Sequence, residues 1–434
     1  MNQDFLRDEN RFSVAVRDPV WKNIWLTPEL RDITLSAPFL RLYRIKQLGP
    51  TEFIYPGATH TRASHSLGVY HVAMKMLRVL LSRGADDWVT ERGCASFLAA
   101  ALLHDLGHFP FTHSLKELPL EDHEALTAHL LDKEPLNALI EASGADIRMT
   151  QEIIDKERPS AGKDEEETNF FRHLLSGVLD PDKLDYLNRD AYYCGVPYGI
   201  QDTDFILSRI QPDRVRGIML DSRSVMSIES ILFSKYLMYR SVYWHKQVRI
   251  ATAMMKKAVF IALENDLIKS ESLYSLDDAG IYVLLDSLDY PEKELAASVH
   301  SRSFYQVIAE FHFNPEDHNM VILENLYSRS KAEKEIARYL SVLSGTSVTQ
   351  DCILLDIPER INFESDLFIS DEQRIFSESS TVFSKNTVSR FTSSLRKVRI
   401  AVHPLLHARL SHISCLDEKL AKCLNVSYTF NQDL

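Results

Sequence analysis

The chain has no apolar run long enough to cross a bilayer. Its most hydrophobic stretch, Cys94 to Leu103, falls far short of the roughly 20 residues a spanning helix needs, so no membrane partner is expected. Cysteine is scarce: five in 434 residues (Cys94, Cys194, Cys352, Cys415 and Cys423), with no CxxC pair. That pattern excludes a zinc knot built on such pairs, argues against a disulfide frame and fits reduced thiols. Positive charge is not in excess either. A formal net charge of −12 speaks against broad binding to nucleic acid, which needs a basic face to displace counterions from phosphates. A small anion needs only a few cations placed together, so a local basic pocket stays open. The leading residues, MNQDFLRDENRF, lack the basic start and apolar run of a secretion signal, and a cytoplasmic location is expected. Internal repeats and long low-complexity tracts are also missing. The remaining composition is that of an ordinary globular chain, long enough for two or three folding units.

Helical periodicity is abundant from about residue 30 to 270. In HSLGVYHVAMKMLRVLL, Leu67, Tyr70, Met74, Leu77 and Leu81 recur at three- and four-residue steps and share one face. CASFLAAALLHDLG is apolar nearly all round, which predicts a central helix with His104 and Asp105 on its last turn and Gly107 stopping it in a left-handed cap. The charged stretch ERPSAGKDEEET, 157 to 168, reads as a loop, and helical patterning resumes at Asn169. After about residue 345, CILLDIPERI and VRIAVHP look like strands, with Val398, Ile400 and Val402 alternating against Arg399 and Ala401. The expected fold class is therefore mostly α: a helical core over 1–345, then a smaller α+β carboxyl lobe over 346–434.

The stretch ALLHDLGHFPFTHS, residues 101 to 114, crowds His104, Asp105, His108 and His113 against an apolar helix. A packed core has no use for so many titratable groups. Ions of the Mn to Zn series accept imidazole nitrogen together with carboxylate oxygen. Adjacent helical residues point about 100° apart, so His104 and Asp105 reach one ion only where the helix ends. Further ligands must come from elsewhere. TRASHSLGVYH offers His65 at the opening of a helix, and LDPDKLDYLNRD offers Asp182 at a helix start after Pro181. Alone each piece is weak: a histidine such as His60 or His71 is more often structural, and DPDKLDYLNRD could be a solvated helix start. In order and in context they are specific.

The pattern HSLG, HDLGHFPFTHS, DPDKLDYLNRD resembles the HD-domain superfamily of metal-dependent phosphohydrolases. It is closest to the branch of deoxynucleoside triphosphate triphosphohydrolases that includes bacterial dGTPase-like proteins and the SAM and HD domain enzyme. The resemblance extends through FLRLYRIKQLGPTEFIYPGATHTRASHSLG, RSVYWHKQV and SLYSLDDAGIYVLLDSL, covering about residues 14 to 290. It implies an HD-type helical core, with the metal site within 62–190. His65, His104, Asp105 and Asp182 would hold one divalent ion, whether Mn, Fe, Mg, Ni or Zn. In the family, water attacks the α-phosphorus and the 5′ oxygen leaves, giving deoxynucleoside and inorganic triphosphate.

By the same resemblance His113 would serve as general acid, with His108 and His123 binding phosphate oxygens or relaying protons. Arg62, Lys183 and Lys235 would meet the triphosphate, Lys235 standing where an arginine is usual. Tyr186, Asp190 and Tyr243 would face the sugar, and Gln47 and Leu48 would pack there and help exclude a 2′ hydroxyl. The family also implies a dimer or larger homo-oligomer.

Three departures stand out. Where the family places a carboxylate three residues after the histidine matching His113, this chain has Lys116, followed by Glu117. Either Glu117 turns inward as a substitute, or proton transfer is altered. The family's guanine-reading positions fall on Leu35, Leu40 and Tyr43, which makes nucleotide activation there doubtful. DPVWKNI, 18 to 24, replaces the usual His-Gly turn, a change expected to touch the regulatory surface rather than the metal. Two competing readings follow: an HD phosphohydrolase acting on another nucleotide phosphoester, and a nucleotide-binding regulator with little turnover, the latter motivated by Lys116.

Overall fold

Three polar-capped helix starts and one helix end carry the fold's central feature. The computed structural model describes residues 10–160, 162–361, 363 and 367–426. Helix α1 (Arg62–Ser82) starts at Thr61, whose hydroxyl accepts from the Ser64 amide while the Ser64 hydroxyl accepts from Thr61 N–H, a reciprocal cap. Helix α2 (Glu91–Leu103) starts at Thr90 and is buried on every side from Gly93 to Leu103, as its continuous apolar sequence demands. Asp122 caps helix α3 (His123–Leu131). Asp180 caps helix α4 (Pro181–Cys194), with Pro181 in the first turn and Gly195 closing it at φ +67°. The amino-terminal ends of α1, α3 and α4 meet the carboxyl-terminal end of α2 at one cavity.

Two expectations shift here. The helix after the 157–168 stretch begins at Glu165, not Asn169, because three glutamates stack in its first turn, where the helix dipole favours them. Gly107 is not a left-handed cap: it is absent from the positive-φ glycines. A glycine stands there because a Cβ would overlap the His123 carbonyl oxygen and the Thr127 amide of α3.

The chain continues through α5 (Val225–Met238), a π-helical turn (Tyr239–Tyr243) and α6 (Lys246–Glu264). The second apolar cluster forms on α6 and the helices that follow it. The carboxyl lobe is a three-stranded antiparallel sheet, β1 (Gln306–His312), β2 (Ile353–Asp356) and β3 (Lys397–Val402), in the order β1-β3-β2, with α7 (Leu326–Ser344) in its core. The lobe therefore recruits β1 and α7 from before residue 345, so the expected boundary falls after two of its elements rather than ahead of them. As the central strand, β3 is covered on both faces. Its Arg399 and Ala401 are buried like Val398 and Ile400, and Arg399 is satisfied by Glu310 and Asp356. Among the described residues no helix is long and apolar enough to cross a membrane.

Candidate active site

The cavity at the junction of helix ends has a volume of about 540 Å³, within the roughly 300–1,000 Å³ of small-ligand sites. His65, His104, Asp105 and Asp182 all line it. His65 Nε2 lies 3.0 Å from Asp182 Oδ1 and 3.8 Å from Asp105 Oδ2; His104 Nε2 lies 3.3 Å from Asp105 Oδ1 and 4.0 Å from Asp182 Oδ1.

These donors suit a divalent cation on two counts. The His104 Nε2 atom is buried without a hydrogen-bond partner, which leaves its lone pair for an ion. Each ring is also oriented from behind, as ligating imidazoles require. His104 Nδ1 donates to the Ala101 carbonyl at 3.0 Å, and His65 Nδ1 donates to Asp185 Oδ2 at 2.8 Å. Burial opposes charge on Asp105, but His108, His104 and the Arg62 guanidinium 2.8 Å away hold its carboxyl well below the usual carboxylate range. Asp182 is likewise lowered against burial by His65.

His113 and His123 line the cavity beside this group. His108 does not: it is fully buried behind them, stacked on His123 at 4.1 Å, with Nε2 2.9 Å from Asp105 Oδ1. Of the two roles expected for His108, binding phosphate oxygen or relaying protons, a place behind the wall disfavours direct contact and leaves the relay. Burial pushes His108 and His113 well below the ordinary imidazole range, reinforced at His113 by Arg62, His108 and Lys116. Burial also takes His123 down to about 4. The three rings are neutral at pH 7.

Of the other expected contacts, Gln47, Leu48, Arg62, Lys183, Tyr186, Asp190 and Tyr243 all line the cavity. The π-helical turn sets Tyr239, Tyr243 and Trp244 along one wall, a use to which such turns are often put. Tyr243 donates to Asp190 Oδ2 at 2.6 Å, and His60 holds Asp190 Oδ1 at 2.8 Å. Lys183 Nζ donates to Asp180 and the Gly177 carbonyl.

Besides His108, two further expected residues fall outside the cavity lining. Lys235 is buried with its ammonium over the Phe363 ring at 5.1 Å. Glu117 turns away from His113 to accept from Lys256 at 2.5 Å and Arg329 at 2.7 Å. Those two buried cations hold it at a pKa of about 2, against the opposing effect of burial. No inward substitute for the missing carboxylate comes from Glu117.

Sequence reasoning missed the residues that support the site. Arg41 is buried and donates to the carbonyls of Leu106, His108 and Leu276 at 2.7–3.0 Å, stapling the turn that carries Asp105. Asp185 and Arg189 lie three and seven residues after Asp182, a spacing that signals a shared helix face. The segment 18–24, expected to touch only the regulatory surface, reaches this group: Asp18 pairs with Arg189 at 2.8 Å and Trp21 donates to Asp185. The carboxyl lobe contributes Glu359, Arg360 and Ile361 to the cavity. By contrast Leu35, Leu40 and Tyr43 are exposed.

Comparison with known proteins agrees with this geometry. Residues 62–168 match the HD domain model, and residues 207–426 match the HD associated region. An uncharacterised protein of Bacillus subtilis, YwfO, is 30% identical over 359 residues, covering 77% of this chain and 80% of that one. The deoxynucleoside triphosphate triphosphohydrolase SAMHD1 of Gallus gallus is 26% identical; the alignment covers 70% of this chain but only 57% of that longer protein. A phosphohydrolase crystal structure from Bacteroides thetaiotaomicron superposes with a TM-score of 0.70 at 24% identity, over 90% of this chain and 100% of that one, a likeness of fold.

Proposed function

The chain belongs to the HD-domain phosphohydrolases, in the branch that holds the SAMHD1-like enzymes, and from that premise we propose that it hydrolyses deoxynucleoside triphosphates to deoxynucleoside and inorganic triphosphate. The observation that carries the reading is the meeting, in one cavity, of the His65, His104, Asp105, Asp182 donor set, with His104 Nε2 unpartnered, the cations Arg62, Lys116 and Lys183, and the Tyr186, Asp190, Tyr243 group. Phosphate oxygens call for the cations, a sugar ring and its hydroxyl for the Tyr186, Asp190, Tyr243 group.

His65, His104, Asp105 and Asp182 would hold a divalent cation, which would supply Lewis acidity at a phosphoryl oxygen and ease deprotonation of water. In the proposed reaction a water oxygen bonds to the α-phosphorus and gives up its proton to solvent, the bond to the 5′ oxygen breaks with its electron pair going to that oxygen, and His113, protonated from solvent once the substrate is bound, delivers a proton to it. An empty cavity keeps His113 neutral, whereas an anionic phosphate beside it favours the imidazolium. The acid is thus charged by the substrate it serves. Arg62 orients Asp105 and faces the α-phosphate, Lys183 meets the outer phosphates, and Asp190, held by His60 and Tyr243, accepts from the 3′ hydroxyl. Gln47 and Leu48 close on the sugar. His123, backed by His108, hydrogen-bonds phosphate oxygen as a neutral ring. Assembly as a dimer or tetramer accompanies this reading and is checked by light scattering.

The test is phosphate-resolved product analysis with each dNTP, singly and mixed, with Mn²⁺ or Mg²⁺. Deoxynucleoside plus triphosphate, absent in Asp105→Ala, supports the reading. Orthophosphate or pyrophosphate as product replaces it with hydrolysis of a different phosphoester bond. Nucleotide binding without turnover under any mixture replaces it with a regulator.

A further inference from the structure

The ligand His65 is steered from outside the helical core. Its Nδ1 meets Asp185 Oδ2 at 2.8 Å, and Asp185 is fully buried and saturated. Arg189 Nε donates to Oδ2 at 2.8 Å, Arg189 Nη2 donates to Oδ1 at 2.9 Å, and the Trp21 indole N–H donates to Oδ1 at 2.5 Å. The remaining guanidinium arm, Nη1, reaches Asp18 at 2.8 Å. Asp18 in turn accepts the amides of Val20 and Trp21 at 2.9 and 2.8 Å, fixing the turn between the strands Val14–Asp18 and Lys22–Leu26 that presents the indole. Trp21 also leans on His71 at 5.6 Å, so its ring is seated as well as bonded. Behind the carboxylate there is no slack: a Cβ on Gly68 would overlap Asp185 itself.

We propose that Trp21 is a positioning residue for the metal centre. By donating to Asp185 it ties the amino-terminal hairpin to the His65 imidazole and fixes the aim of Nε2. A hairpin lifted from α4 leaves Asp185 Oδ1 with one donor fewer and frees the carboxylate to rotate about Arg189, and His65 follows it. The hairpin is therefore a lever on metal affinity, although it contributes no ligand. The inference rests on the metal-site reading and not on the identity of the substrate.

The experiment is Mn²⁺ titration by calorimetry of the full chain and of three variants. Trp21→Phe keeps the ring and removes the N–H. Trp21→Gln keeps an N–H donor and removes the ring. Trp25→Phe changes an exposed tryptophan of the same hairpin. Trp21→Phe is expected to weaken Mn²⁺ about tenfold at unchanged stoichiometry, the scale on which supporting residues act. Trp21→Gln is expected to recover part of that loss, and Trp25→Phe to match the wild type. Wild-type affinity in Trp21→Phe overturns the proposal. So does equal weakening in Trp21→Phe and Trp21→Gln, which marks packing rather than the donor. If Trp21→Phe does not fold, Trp21→Gln decides: affinity near wild type sustains the proposal, and affinity more than tenfold weaker sinks it. Because the readout is metal affinity, failure to hydrolyse any dNTP removes the proposed function and leaves this result standing.

Discussion

The two ends of the cavity differ in how their side chains are held. At the proposed metal end, His65, His104 and Asp182 project from helix termini and Asp105 from the turn that Arg41 staples; the two rings are held from behind and Asp105 is held by Arg62. At the proposed phosphate end the charged side chains are long, and each is seated by whatever counter-charge or ring its surroundings supply. Lys183 faces the cavity, whereas Lys235 has found Phe363 and Glu117 has found Lys256 and Arg329. Short side chains on rigid mounts land where the backbone sends them. Long ones land where tertiary structure leaves a counter-charge or a ring.

The contrast breaks first at its strongest point. Asp105→Ala removes a proposed ligand and the carboxylate that Arg62 meets at 2.8 Å, so metal-dependent turnover is expected to fall on the order of 10³-fold or more. Retained activity at saturating Mn²⁺ would place the chemistry elsewhere. Arg41→Met tests the staple. Loss of its charged bonds to three carbonyls is expected to cost about 2–4 kcal/mol in chemical denaturation, with metal affinity falling in parallel; a fall in stability alone would separate the staple from the site.

The phosphate end is sharpened by a pair of variants. Lys183→Ala is expected to raise KM about tenfold. Lys235→Ala is expected to raise it less than about threefold and to cost about 0.5–1 kcal/mol of stability through its ring contact. Equal KM effects would return Lys235 to the substrate. The smallest effect is a pH shift. Lys116 helps hold His113 below the ordinary imidazole range, so Lys116→Ala raises that pKa and keeps the protonated acid to higher pH. The falling alkaline limb of kcat is expected to move upward by less than about one pH unit; an unmoved limb would take Lys116 out of the proton transfer.

Much of this was legible because it is local. The all-apolar 94–103 run announced a buried helix, and the His-Asp pair at its end, the histidine at the start of α1 and the Asp-Pro-Asp start of α4 are each written within a few residues. The strands of the lobe were visible too, but not that Gln306–His312 pairs with a strand some ninety residues on, since pairing across that distance leaves no mark in either segment. Arg41 and Trp21 were missed for a related reason. Each works through a partner far along the chain, and a lone arginine or tryptophan does not declare what it will bond. Asp185 and Arg189 could have been found, because their spacing from Asp182 already put them on one face of the same helix.

Gly107 brings the turn after Asp105 against α3 so closely that no side chain fits between them, and its amide donates to Thr127 at 2.8 Å. The separation between His104 and Asp105 on one side and His123 on the other is therefore set by a hydrogen atom. A methyl group at this position acts as a wedge, moving the phosphate-facing wall away from an intact donor set. The result would be a protein that still takes up its ion yet hydrolyses poorly, reached by one of the smallest changes a codon can make.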